Sequence, residues 1–239
     1  MVGLHKQAYE QSYRGAEYRF SQELLSPWYR FVRARLPVIS GLQLLEIACG
    51  LGALTCLCAE RGAQAWGVDL SETALQVGRA YATSHRLAVR FVCASVYEIP
   101  FPAETFDLVI SCETLEHLQC PGHGLNELRR VIREGGMLLL TTPNYLNMVG
   151  LYRISLSLRK KRYWSTDTVQ PVEQCFTYLS VARLLRLHGF RVRDMDSMVH
   201  RFWIPKGGLH TINALDTWPV ARRLLKPFGL HFGFVAQAV

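Results

Sequence analysis

No stretch of 18 or more apolar residues occurs in this 239-residue chain, so no helix of it is expected to cross a membrane. The opening residues, MVGLHKQAYEQSYRG, lack the apolar core of a secretory signal, and a cytoplasmic protein is expected. Internal repeats and low-complexity tracts are absent, which sets aside repeat arrays and biased, unpacked chains. Acids are scarce: 19 Asp and Glu stand against 27 Lys and Arg, giving a net charge of +8 and a pI near 9.3. Such a balance suits nucleic acid, an anionic membrane surface or an acidic substrate, and equally a merely solvated surface. No RNA-binding module or zinc knuckle is visible, so nucleic acid ranks below the others. Seven cysteines, at 49, 56, 58, 93, 112, 120 and 175, are odd in number and lack zinc spacing. Most fall in apolar segments and read as reduced core thiols. Charged residues make up only 19% of the chain against 49% hydrophobic residues, which excludes disorder and provides for one sizeable core.

What the chain does have is organised around Leu44–Thr55, LLEIACGLGALT. An apolar run passes through Glu46 into Ala48-Cys49-Gly50-Leu51-Gly52, and a helical pattern follows. A strand, a tight glycine turn and a helix N-terminus make a ligand cradle. Glycines let a ligand approach the backbone, and free N–H groups at a helix start favour polar or anionic atoms. A short Gly-x-Gly alone is weak. It gains force from Gly67-Val68-Asp69-Leu70-Ser71, where a second strand ends in an acid 17 residues after Gly52. That is near the spacing of a carboxylate that binds a ribose diol.

Strands are expected at about Leu42–Ala48, Ala65–Asp69, Ala88–Cys93, Phe106–Ser111, Met137–Thr142, Phe190–Met198 and His231–Val239. Helices are expected at Gly52–Arg61, from Ser71 through Tyr81, at Gly124–Arg133 before Gly135-Gly136, and at 178–188 before Gly189. Alternation of the two argues for a parallel sheet with right-handed crossovers, and ligands in such sheets sit beyond the carboxyl ends of the strands. In residues 1–40, Ser26-Pro27 is a good helix start, with Trp28, Phe31, Val32 and Arg35 at helical spacing and Pro37 as the stop.

ExxxGxG, GVDLS, FDLVISCETLEHL and ELRRVIREGGMLLLTTPN, in this order, resemble the class I S-adenosylmethionine (SAM) methyltransferases. They look most like the branch containing the ubiquinone-biosynthesis O-methyltransferases, and the match is good over roughly 40–145. The resemblance implies a doubly wound, mostly parallel seven-stranded, Rossmann-like α/β sheet with its last strand antiparallel and helices on both faces. It also implies one domain: an N-terminal helical lid (1–40), a cofactor-binding core (41–145) and acceptor-side elements with the final strands (146–239). The lid over the cofactor would carry Tyr13 or Arg14, whereas Trp28 and Phe31 are read as packing residues.

The implied cofactor is SAM. Asp69, with Leu70 beside it, would accept both ribose hydroxyls, which a carboxylate does better than a neutral group. Glu46, Gly50 and Gly52 match the first motif, Glu46 orienting the loop or meeting the methionine ammonium through water. Ala48 stands where the family has its first glycine, tolerable if its φ stays negative. Adenine would lie near Ser95 and Val96, with a hydroxyl or backbone in place of the family's acid. Cys112 either flanks the cofactor or is a small core thiol.

Glu113, Glu116 and His117 form Glu-x-x-Glu-His, and on a helix these positions share one face. One reading makes His117, with Glu113, the base that takes a substrate proton, or makes the trio a divalent-metal site; no metal is assigned. The other makes it a structural helix turn with acids near its start. A methyltransferase acting on a small or lipid-like acceptor, at oxygen, is the reading adopted. A SAM-fold partner subunit without catalysis is the alternative, and a nucleic-acid methyltransferase ranks below it. Asn147–Trp164 combines apolar residues with Arg159-Lys160-Lys161-Arg162 and no acid. It reads as part of the acceptor pocket with contact to an anionic membrane, or as a cover helix with a solvated basic end. Neither the acceptor nor the oligomeric state follows from these residues.

Overall fold

The computed structural model describes residues 2–13, 20–146, 172, 174–198, 201–204, 208–211 and 226–239. Helices α1 (Val2–Ser12), α2 (Phe20–Glu23) and α3 (Pro27–Arg33) precede the sheet. There follow β1 (Gln43–Ile47), α4 (Ala53–Glu60), β2 (Gln64–Asp69), α5 (Glu72–Ser84), β3 (Val89–Cys93) and β4 (Phe106–Cys112). A 3₁₀ turn (Leu115–His117), α6 (Pro121–Val131) and β5 (Ile132–Pro143) complete the first part. Further along come α7 (Tyr178–Leu187), β6 (Phe190–Met198), β7 (Arg201–Ile204), β8 (Gly208–Thr211) and β9 (His231–Ala238).

Seven strands form one sheet in the order β3-β2-β1-β4-β5-β9-β6. The first five are parallel, and β9 runs antiparallel between β5 and β6. The last strand is antiparallel as expected, and it pairs with both β5 and β6. Alternation along the strands divides the core in two. Leu45, Ile47, Val109, Leu138 and Leu140 face one buried cluster; Leu44, Leu108, Ile110 and Leu139 face another. A sheet covered on both faces needs these unbroken apolar runs.

Local chemistry sets the helix starts. Ser26 caps α3 with Pro27 at its first position, and the Ser71 Oγ accepts from the Ala74 N–H at 3.2 Å at the start of α5. α6 begins at Pro121 and ends at Val131, earlier at both ends than the sequence pattern suggests. β5 accordingly begins before the glycines: Ile132 pairs with Phe106, the register then shifts, and Met137 pairs with Leu108. Gly135, at φ +75°, lies in that irregularity instead of ending a helix.

The segment after α2 is fastened to the far side of the sheet. Phe31 is buried on β9, where a Cβ on Gly233 would come within 2.3 Å of its ring. Arg35 stacks on Phe31 at 4.0 Å and binds Asp194 (3.1 Å) and Asp196 (2.8 Å) of β6. Phe31 is thus a packing residue, as its spacing suggests. β7 and β8 pair as a small antiparallel hairpin that hydropathy did not reveal. Arg14 and the basic segment 147–164 lie outside the described residues. No helix among the described residues is long and apolar enough to cross a membrane.

Candidate functional site

The carboxyl ends of β1, β2 and β4 converge on one loop. Beyond β1 the chain turns sharply: Ala48 has φ +53°, Gly50 +55° and Gly52 +77°. The condition under which a methyl group at Ala48 is easily tolerated, a negative φ, is therefore not met. That methyl group is held in the left-handed region that the family's glycine would enter freely. Gly52 then opens α4, its carbonyl accepting from the Cys56 N–H at 2.9 Å.

Asp69 ends β2 and is 7% exposed. Its Oδ2 accepts from the Gly50 N–H at 2.9 Å and its Oδ1 from the Ser71 N–H at 2.8 Å. The carboxylate therefore locks the glycine loop to the start of α5. Burial raises its pKa, and the backbone N–H groups of Ser71, Gly50 and Leu70 oppose that rise. Each oxygen retains capacity for a further donor, as a vicinal diol requires. Leu70 is half-buried, and its carbonyl accepts from the Cys93 thiol at 3.4 Å.

Glu46, on β1, is 1% exposed. The Thr55 hydroxyl of α4 donates to its Oε2, while Oε1 is buried without a hydrogen bond in good geometry. Burial pushes its pKa up to about 7, with the Thr55 and Tyr29 hydroxyls pulling it down. A buried, half-satisfied carboxyl beside a glycine loop fits a cationic ligand group reaching it directly or through water.

Helix α1 lies over this cradle. The Glu10 carboxylate accepts from the Glu72 N–H (2.8 Å), the Thr73 N–H (3.0 Å) and the Ser71 hydroxyl (3.2 Å). It caps α5 from another part of the chain, and the Thr73 side chain, together with those donors, holds its pKa low against the opposing effect of burial. Tyr13 places its hydroxyl over Gly50, 2.8 Å from where a Cβ would stand. The Tyr9 pKa is raised by burial first and then by the negative charges of Asp69 and Glu116. Sequence reasoning missed Glu10. Its only signal is a lone acid between Tyr9 and Tyr13, which carries no meaning until α1 is docked.

The other cofactor positions lie around the same rim. Cys112 closes β4, is buried, and has its thiol pKa raised by that burial. Ser95 holds a turn after β3, its Oγ accepting from the Tyr97 N–H at 3.2 Å, and Val96 is buried beside it. An open cleft of about 600 Å³ runs past this turn, lined by Cys93, Ala94, Ser95 and Ile99 among others.

The stretch after β4 departs from the expected helix. Glu113 has φ +49°, and only Leu115–His117 makes a 3₁₀ turn, so Glu113, Glu116 and His117 do not share a helix face. Glu113 instead binds His231 at the start of β9, Nδ1 to Oε2, at 2.8 Å. Glu116 is buried and accepts from the Thr142 hydroxyl at 3.0 Å. His117 Nδ1 meets the Val172 carbonyl at 3.0 Å, and its Nε2 lies 3.7 Å from Glu116. No group of three metal-ligating side chains occurs among the described residues. Sequence reasoning missed His231, because it opens a strand 118 positions away that only the sheet order brings to Glu113.

Residues 45–140 match the family described as methyltransferase domain. A ubiquinone biosynthesis O-methyltransferase of Bradyrhizobium sp. (strain ORS 278) is 32% identical over 109 residues, covering 46% of this chain and 43% of that protein. The chain thus aligns with less than half the length of that relative. Among solved structures, an S-adenosylmethionine dependent methyltransferase from Mesorhizobium loti superposes with a TM-score of 0.64 at 17% identity, covering 89% of this chain and 98% of that one. A Haloferax volcanii methyltransferase in complex with the Trm112 activator gives 0.68 at 18% identity, covering 96% and 97%. The fold is therefore that of SAM-dependent methyltransferases, and the family match falls on residues 45–140, from β1 into β5.

Proposed function

We propose that this protein is a SAM-dependent methyltransferase that methylates a hydroxyl of a small or lipid-like acceptor. The observation that carries the reading is the Asp69 carboxylate, which accepts hydrogen bonds from the Gly50 and Ser71 backbone N–H groups and has acceptor capacity to spare. Asp69 would hold the ribose diol, the loop 48–52 would pass under the amino-acid end, and the Glu46 carboxyl would face its ammonium. Leu70, Ser95, Val96 and Cys112 would border the remaining surface. The relatives named for O-methylation in ubiquinone biosynthesis support oxygen as the atom methylated.

SAM supplies a methyl group on a sulfonium, whose leaving group is a neutral thioether. The chain's own task is alignment and exclusion of water. α1 lies over the cradle through Glu10 and Tyr13, and the described residues just after β4 and β5 would border the acceptor side. Isothermal titration with SAM tests the reading: the wild type binds, and Asp69→Ala weakens binding by about 1–3 kcal/mol, the cost of hydrogen bonds to a charged group. Absence of binding by the wild type would sink it.

A further inference from the structure

We propose that His231 is the base that takes the acceptor's hydroxyl proton, with Glu113 as its positioning residue. The inference rests on the methyltransferase reading above and assigns that site a proton acceptor.

Three strands build the pair. Glu113 follows β4, and its N–H donates to the Thr141 carbonyl of β5 at 3.0 Å. Its side chain reaches past β5 to His231, which pairs with Pro143 at the start of β9. Both residues therefore stand at the carboxyl ends of the parallel strands, the edge at which ligands of such sheets bind. Glu113 is held at φ +49°, a conformation that costs a non-glycine residue about 1–2 kcal/mol and persists only where its surroundings impose it.

The hydrogen bonding is that of an oriented base. With Glu113 Oε2 accepting from Nδ1–H, a neutral imidazole carries its lone pair on Nε2. Nε2 makes no hydrogen bond to any described residue. Glu113 Oε1 is buried and makes no hydrogen bond to any described residue, so the carboxylate is not consumed by a wider structural network. His231 is 22% exposed at its side chain and is thus reachable. The Trp28 ring lies 5.6 Å from the imidazole and forms an aromatic wall beside it. His117, the sequence candidate, has Nδ1 on a carbonyl and Nε2 facing buried Glu116.

The step balances within these groups. The acceptor's O–H proton passes to His231 Nε2. The oxygen's electron pair forms the new O–CH₃ bond as the carbon–sulfur bond of the sulfonium breaks, and sulfur departs with that bond's pair as a neutral thioether. Glu113 neutralises the imidazolium.

Two-bond ¹H–¹⁵N spectra of the full-length labelled protein test the pair, together with methyl transfer from SAM to catechol as probe. In the wild type His231 is expected as the Nδ1–H tautomer, and Glu113→Ala shifts it towards Nε2–H. His231→Gln and Glu113→Ala are expected to lower methylation of catechol by about 100-fold or more, with SAM affinity within about two-fold of wild type. His231→Gln leaves the strained backbone at Glu113 in place, so a folding defect of the other variant does not silence the test. Three results overturn the proposal: an Nε2–H tautomer in the wild type, His231→Gln turnover within about three-fold of wild type, or no transfer to catechol by a wild type that binds SAM. A wild type that does not bind SAM overturns the methyltransferase reading instead, a result the titration reports separately.

Discussion

Ala48 holds a Cβ where the loop needs a left-handed turn, and the strain is released when that Cβ is removed. The left-handed region costs an alanine about 1–2 kcal/mol, against about 0.5–1 kcal/mol of extra chain entropy for glycine. Ala48→Gly is therefore expected to stabilise the protein by about 0.5–1 kcal/mol, read as a higher urea midpoint at unchanged slope. Glu46 acts through its proton. Its folded pKa of about 7 lies above the ordinary 4.5, so the folded state binds the proton more tightly than the unfolded one. Its contribution to stability is greatest below about pH 4.5 and declines as pH rises through 7, by on the order of 3 kcal/mol. Glu46→Gln is expected to flatten that decline and to raise stability at about pH 8. Urea titrations of both proteins on either side of that pKa, at about pH 5 and about pH 8, check this, and parallel pH profiles would refute it.

Glu10 is the centre of the polar contacts that hold α1 to α5. A side chain that caps a helix contributes about 1 kcal/mol. Glu10→Ala is expected to raise the open population of α1 about five-fold, measured as faster amide exchange over residues 2–13 and at Glu72 and Thr73. Because the Glu10 pKa is lowered in the folded state, the latch is present above about pH 4.5 and weakens as pH falls through the lowered value. Unchanged exchange in Glu10→Ala would place the docking of α1 in its tyrosines instead. α3 is fixed otherwise: Phe31 on Gly233 and Arg35 between two aspartates tie it to β9 and β6. The N-terminal segment is thus two devices, an anchored α3 and a latched α1.

For the molecule as a whole, a ligand that binds only the folded state adds about 2.7 kcal/mol at about 100 times its Kd. For a chain of this size that corresponds to a rise of about 5–10 °C in Tm. SAM at that excess is expected to produce such a shift in the wild type and a smaller one in Asp69→Ala at the same concentration. An equal shift in both would mean that the stabilising site lies away from β2.

The sequence by itself determined the alternation of strands and helices, the glycine loop, the acid ending β2 and the caps at Ser26 and Ser71. These are local matters: hydropathy period, turn chemistry and capping act within a few residues. Element limits were legible where a cap or proline marks them, and were misread at Gly135-Gly136, where glycines in a strand irregularity look like a helix stop. Only the tertiary structure decided the φ of Ala48, the division of Glu113 from Glu116 and His117, the docking of Glu10 on α5, and the meeting of Glu113 with His231. Each depends on which distant segments meet in the assembled fold, as β9 does with β5 and β6. Pair contacts of that kind leave no periodicity in the chain, so no local pattern could announce them.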